Sequence, residues 1–221
     1  MHIKRITMPK PWPIARKEKN FIVAQRPGKI KERSVALVVF LRDLLKEVST
    51  FREAKKAIKA GHVEVNGKIV KDEKFPVALF DRIFIKELKK HFTLHLDERG
   101  KLKVKGIDTK RYGLRPTKVI GKRILKKKKM QLNFEEGYNL ILKENKIKVG
   151  DSLLLDIKNK KIGKVLPLEK GATAFLIKGK NAGKYGKVTN VKDKKVKIKL
   201  DDEEKEMSSE NLYVVEENEF K

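Results

Sequence analysis

An α+β chain made of several small domains is predicted, and three observations predict it. Two helical segments and an Asn-Gly hairpin follow one another between residues 34 and 88, strand-like alternation dominates from residue 90 onward, and a glycine-rich stretch near residue 180 joins two short apolar runs. The expected organisation is a basic arm at 1–33, a small two-helix domain with a short sheet at 34–88, a β-rich basic domain at 89–170 and a small β-barrel at 171–221.

Charge bounds the function. Lys and Arg total 56 against 29 Asp and Glu in 221 residues, a formal charge of +27, while 39% hydrophobic residues are enough to build cores. A self-repelling excess of this size calls for a polyanion, and nucleic acid is the commonest one. The net charges of residues 1–33, 34–87, 88–170 and 171–221 are +8, +3, +15 and +1, so cations gather in the arm and the middle. Zero cysteines exclude disulfides, a thiol nucleophile and Cys-containing zinc sites. No apolar run approaches 18 residues, and Met1-His2-Ile3-Lys4-Arg5 leads into prolines rather than an apolar signal core. A soluble intracellular protein is expected, without a membrane partner, since no basic helix carries a wide apolar face.

In the arm, Pro9, Pro11 and Pro13 flank Trp12, which holds the backbone extended, and Arg26-Pro27-Gly28-Lys29 adds a turn. Such a segment buries little of itself and should order against a partner or against the body of its own chain. Residues 35–45 are apolar on nearly every side and predict a buried helix. A second helix starts at a capping box, Thr50 with Glu53, and stops at Gly61. Phe51, Ala54 and Ile58 form its apolar stripe; Arg52, Lys55, Lys56 and Lys59 fall at i, i+3, i+4 and i+7 and share another face. Val63 to Val70 alternates around Asn66-Gly67, a two-residue hairpin with a type I′ turn, and Ile83–Ile85 is a further strand after Asp81-Arg82.

Beyond residue 90, Phe92 to Leu96 alternates, Asp97 to Gly100 turns, and Leu102 to Val104, Tyr138 to Leu142 and Leu153 to Ile157 are strand candidates. Lys122 to Lys129 holds six basic residues in eight, Lys126, Lys127 and Lys128 among them. Edge lysines also deter aggregation, but in the most basic block phosphate contact is favoured. Val196, Ile198 and Leu200 alternate with lysines, Leu212 to Val215 closes the run, and Asp201 to Glu206 is read as a solvated acidic turn.

Gly179, Gly183 and Gly186 lack the Gly-Lys-Ser/Thr end of a P-loop and precede a strand rather than a helix. They serve as turn glycines, and with Lys178, Lys180, Asn181 and Lys184 the loop offers exposed amides and cations to phosphates; a purely structural turn fits the spacing equally well. His91 and His95 lie on a strand without an evident third ligand, and no serine pairs with a histidine and an acid. No active site and no cofactor are expected.

His2-x-Lys4-Arg5-Ile6-x-x-Pro9-x-x-Trp12-x-Ile14-x-Arg16 resembles the N-terminal signature of the small-subunit ribosomal protein four family of archaea and eukaryotes. The two-helix unit with Val65-Asn66-Gly67 and Asp81-x-Ile83 is similar to the small RNA-binding domain of that family, which other ribosomal proteins and RNA-modifying enzymes share. The Gly179/Gly183/Gly186 segment resembles a KOW motif of SH3-like barrels, and the Lys/Glu-rich composition resembles an archaeal member. The resemblance implies a structural, non-enzymatic constituent of the small ribosomal subunit in the cytoplasm. Its partners would be small-subunit ribosomal RNA and neighbouring ribosomal proteins, with no small-molecule substrate.

The expected mechanism is recognition of folded RNA by shape. Arg52, Lys55, Lys56, Lys59 and Lys68 would meet phosphates along a groove, and the arm, through Lys4, Arg5 and Arg16, would thread between RNA elements and order only there. Trp12 would stack on a base or pin the arm to the protein's own core. Two alternatives stay open: a KOW-type transcription-associated factor, and an accessory module of an RNA-modifying enzyme.

Overall fold

The structure, a computed structural model, describes residues 2–126, 129–135, 137–142, 147–156, 159, 161–192, 195–200 and 203–216. The chain forms two compact units, one of Met1–Leu96 with Lys101–Gly113 and one of Asp97–Gly100 with Leu114–Lys221. The architecture is mixed, with few helices and many strands, as expected for α+β.

In chain order the first unit holds β1 (His2–Lys4), β2 (Phe21–Val23), β3 (Ser34–Ala36), α1 (Leu37–Val39), α2 (Phe51–Lys59), β4 (Val63–Val65) and β5 (Lys68–Ile69). It continues with β6 (Pro76–Ala78), β7 (Arg82–Ile85), β8 (Lys90–Leu96), β9 (Leu102–Ile107) and α3 (Thr109–Tyr112). All pairings are antiparallel: β1 with β2, β3 with β6, and a five-stranded sheet ordered β5-β4-β7-β8-β9. The segment predicted as one helix over 35–45 begins instead as a strand, because Val35 and Ala36 find backbone partners in Val77 and Pro76, far along the chain. After α1 the chain widens into a π-helical turn over Phe40–Leu44, closed by the Leu45 N–H donating to the Phe40 carbonyl at 2.9 Å. Residues 35–41 are buried throughout, as their unbroken apolarity required.

The expected boundary at residue 88 does not coincide with a sheet edge. Lys86 to Lys89 form a tight turn, with Lys89 at φ 52° and its N–H on the Lys86 carbonyl at 3.2 Å, so β8 folds straight back onto β7. Flanked by β7 and β9, β8 is buried from Phe92 to Leu96, polar positions included. His95 packs edge-on against Phe80 at 5.8 Å between ring centroids and donates from Nδ1 to the Leu96 carbonyl at 2.7 Å. Burial, with lesser help from Lys105, Arg82 and Lys103, lowers its pKa from 6.5 to about 4.

The ring is therefore neutral in the fold and protonates more readily in the unfolded chain. Stability of the first unit should be complete above the unfolded pKa and fall by about 3 kcal/mol as pH drops from roughly 6.5 to 4. Urea midpoints followed by Trp12 fluorescence check this. His95→Leu should flatten that part of the pH profile, and an unchanged profile would contradict it.

At the Asn66-Gly67 turn, φ values of 50° and 72° and the Val65–Lys68 pairing give the predicted two-residue hairpin. Its Asn66 side chain is nearly buried. Nδ2 donates to Asp81 Oδ1 at 2.7 Å, and Oδ1 accepts the Arg82 N–H at 2.9 Å. Asp81, fully buried, also accepts the Ala78 N–H at 2.7 Å and the Lys29 ammonium at 2.5 Å. Arm, hairpin and the end of β6 thus meet on one carboxylate.

The second unit holds β10 (Leu114–Ile124), β11 (Met130–Phe134), β12 (Asn139–Leu142), β13 (Ser152–Asp156), β14 (Lys161–Leu166), β15 (Thr173–Leu176), β16 (Tyr185–Lys192), β17 (Lys195–Leu200), β18 (Glu203–Ser208) and β19 (Leu212–Val214). They form two antiparallel five-stranded sheets, ordered β12-β11-β10-β13-β14 and β18-β17-β16-β15-β19. Leu154 and Leu166 of the first sheet pack with Leu176, Val188, Ile198 and Leu212 of the second. The Lys118 ammonium, buried, donates to the carbonyls of Ser209 and Leu212, and Ser152 Oγ accepts the Val214 N–H at 2.9 Å.

The solvated acidic turn expected at 201–206 is instead, over its described part, the start of β18. Glu204 and Glu206 stand opposite Lys199 and Lys197, so opposite charges across the ladder favour a strand there; Asp201 and Asp202 lie outside the described residues. Gly186 is needed for space. A Cβ there would sit 2.7 Å from the Lys199 carbonyl oxygen and 2.5 Å from Ile198 Cγ2. Gly186→Val should destabilise the second unit by about 1–3 kcal/mol, seen as a lower urea midpoint in far-UV circular dichroism while Trp12 fluorescence, reporting the first unit, holds.

Candidate nucleic-acid interface

Helix α2 carries the clearest cationic face, and its start is set locally. Thr50 Oγ1 accepts the Glu53 N–H at 3.2 Å, while Glu53 Oε2 accepts the Thr50 and Ser49 N–H groups at 3.3 and 3.1 Å. Those bonds, the Thr50 backbone first, hold the Glu53 carboxyl below its usual range. Ala54 and Ile58 are fully buried, which turns Arg52, Lys56 and Lys59 to solvent. Lys55 is different. One turn from Phe51, it lies 5.9 Å from that ring's centroid and 3.7 Å from Glu73, half-buried, so its charge is partly answered within the protein. Lys68 is exposed at the far side of the hairpin turn.

The arm is folded against its own chain, which overturns the expectation that it orders only on RNA. β1 pairs with β2, the Arg26 N–H reaches the Lys74 carbonyl at 2.8 Å, and the Leu102 N–H reaches the Pro11 carbonyl at 2.8 Å. Arg5 is corrected as an RNA contact, and of the two roles open to Trp12 the structure shows the pin. Arg5 is 3% exposed and donates to the Ala15 carbonyl at 2.8 Å; Trp12 is 4% exposed, and its indole N–H bonds to the Ser34 carbonyl at 3.1 Å. Both pin the arm, because neither leaves a surface for RNA. Arg16, half-buried, donates to the Ile6 and Met8 carbonyls at 2.7 and 3.0 Å, while Lys4 is exposed. Beside them lies a cleft whose other cations, Lys17 and Lys19, and whose aromatic, Phe21, the sequence reading passed over. The signal available was an aromatic directly after a Lys-Glu-Lys-Asn run.

In the second unit, Lys126 is exposed just past the end of β10, whereas Lys127 and Lys128 lie outside the described residues. Lys178 and Lys180 are exposed on the glycine loop; Asn181 and Lys184 are half-buried. The amides expected to face phosphates are used within the loop. Ala182, Gly183 and Lys184 donate to the carbonyls of Gly179, Leu176 and Asn181 at 3.2, 2.8 and 3.2 Å. Gly179 and Gly183, at φ 88° and 91°, serve the turn itself.

Among the described residues, no three His, Asp or Glu side chains converge as a metal site, and no helix is long and apolar enough to cross a membrane. His91 stacks on Phe84 at 4.6 Å and lies 4.4 Å from Tyr112, away from any such cluster.

The stretch that holds the capped cationic helix and the hairpin whose Asn is locked to a buried Asp is matched by the S4 domain model, over residues 37–83, which makes this an S4-domain protein. The model of ribosomal family S4e matches residues 88–162. Small ribosomal subunit protein eS4 of Nanoarchaeum equitans is 36% identical over 192 residues, which are 86% of this chain and 82% of that protein. Its counterpart in Halobacterium salinarum is 33% identical over 98% of this chain and 96% of its own. The crystal structure of 30S ribosomal protein S4e from Thermoplasma acidophilum superposes with a TM-score of 0.73 at 25% identity, covering 86% of this chain and 98% of that one. The chain belongs to the ribosomal family S4e.

Proposed function

We propose that the protein is a structural constituent of the small ribosomal subunit that binds ribosomal RNA and supports subunit assembly and translation in the cytoplasm. The observation that carries this is likeness over 98% of the chain to a relative named small ribosomal subunit protein eS4. The charge of +27 supplies the driving force, through counterions released as phosphates are neutralised. Arg52, Lys56, Lys59 and Lys68 form the proposed principal contact, with Lys55 contributing through its residual field. Lys4 and Arg16 serve from the arm, Lys126 to Lys128 from the central segment, and Lys178, Lys180, Asn181 and Lys184 from the glycine loop. The sheet ordered β18-β17-β16-β15-β19, with glycines at its β15–β16 connection, supports reading 171–221 as a KOW-type SH3-like barrel. Neighbouring ribosomal proteins are the further partners.

Sedimentation of cell lysate tests the proposal. The protein should travel with small subunits and their RNA. Co-purification with RNA polymerase instead would favour the transcription-associated alternative, and base modification of ribosomal RNA fragments by the purified chain would favour the enzyme-linked one.

A further inference from the structure

The arm contains a cleft of about 410 Å³, within the range of small-ligand sites, whose charged lining residues are Lys4, Arg16, Lys17 and Lys19. Its apolar walls are Ile6 and Phe21, which are 75% and 53% exposed. Each wall is held in place. Lys4 and Phe21 stand directly opposite in the β1–β2 ladder and so share a face; His2 packs edge-on against the Phe21 ring at 4.6 Å; Arg16 clamps the Ile6 carbonyl at 2.7 Å. Glu18, the sole acid between residues 4 and 21, is not part of the lining, and its Oε2 lies 3.8 Å from the buried Arg5 guanidinium.

We infer that this cleft takes one unpaired nucleotide of RNA, its base against Phe21 and Ile6 and its flanking phosphates on the lysines. The inference rests on the RNA-binding reading above and deepens it, since the face of α2 addresses backbone phosphates alone. A base offers a flat π surface to a ring already held by His2, and the attached phosphates supply the anions that an all-cationic rim lacks. An apolar peptide would leave the four cations unanswered, and a bare anion would leave Phe21 and Ile6 in water.

The test uses the full chain with decauridine carrying one 5-iodouridine, and a blunt RNA duplex as the control. Ultraviolet crosslinks should map to Phe21. Phe21→Ala should weaken decauridine binding about 5- to 150-fold and leave duplex binding unchanged. Lys17→Ala with Lys19→Ala, both exposed and remote from the core, should lower the salt slope for decauridine by about 1.4; this pair decides the matter should Phe21→Ala fail to fold. Full affinity in Phe21→Ala or in Phe21→Leu, or crosslinks confined to other segments, overturns the inference. Displacement of decauridine by an equal concentration of an Asp/Phe-containing peptide assigns the cleft to a protein partner and overturns it too. Wild-type protein that binds the duplex but not decauridine defeats this inference alone, whereas failure to bind either RNA defeats the proposed function with it.

Discussion

Converting Arg52, Lys56 and Lys59 together to glutamate lowers the slope of log affinity for small-subunit ribosomal RNA against log salt by about 2.7, the share of three phosphate contacts on a duplex. The affinity falls in the same variant, most steeply at low ionic strength, where unscreened repulsion adds to the lost contacts. Lys55 is left alone because its partial pairing with Glu73 and its place beside Phe51 make it a weaker phosphate ligand and a better packing residue. The three reversed positions are exposed and face away from Ala54 and Ile58, so the helix keeps its buried stripe. Filter binding across a salt series, with circular dichroism to confirm folding, measures the effect. A slope equal to that of the wild type would remove α2 from the RNA interface.

Asp81→Leu costs the first unit about 3–5 kcal/mol, the penalty of breaking a buried ion pair from one side. The carboxylate is wholly buried and receives the Ala78 N–H, the Asn66 amide and the Lys29 ammonium, whose side chain is only 10% exposed. Leucine supplies none of these acceptors, and the ammonium stays in a site from which water is largely excluded. Asp81→Asn keeps one oxygen acceptor but not the charge, and should fall between. Trp12 is the chain's single tryptophan and is buried in the same unit, so its fluorescence in urea isolates this transition from that of the second unit. A loss below about 1 kcal/mol would mean that the pair behaves as an exposed one.

The contrast between Asp81 and Thr50 shows where sequence reading succeeds. Thr50 and Glu53 cap α2 from three residues apart, and Asn66-Gly67 turns a hairpin within two, so short-range stereochemistry made both visible. Asp81 stood in the sequence as part of a signature, but its partners lie 3, 15 and 52 residues away. Val35 and Ala36 fit a helical pattern for the same reason, since a strand exists there only because Pro76 and Val77 come to meet it.

The candidate site divides along the same line. The cations of α2 share a face by helical period alone, so the sequence shows them. In the arm, sequence leaves Trp12 either a base-stacking ring or a pin on the protein's own core; its indole N–H finds the Ser34 carbonyl 22 residues on, which is the pin, while Phe21 is left exposed beside the lysines. Which of two aromatics is buried depends on what the rest of the chain presents to each, and periodicity carries no such information.

Family, cationic character, the capped helix and the Asn-Gly hairpin are already written in the order of residues, because each rests on composition or on neighbours within a few positions. The folding of the arm onto its own chain, the continuation of one sheet across residue 88, the burial of Arg5 and Trp12, and the cleft beside Phe21 arose only in three dimensions. Each depends on contacts between distant segments, whose free energy comes from burial and pairing that no single stretch of sequence contains.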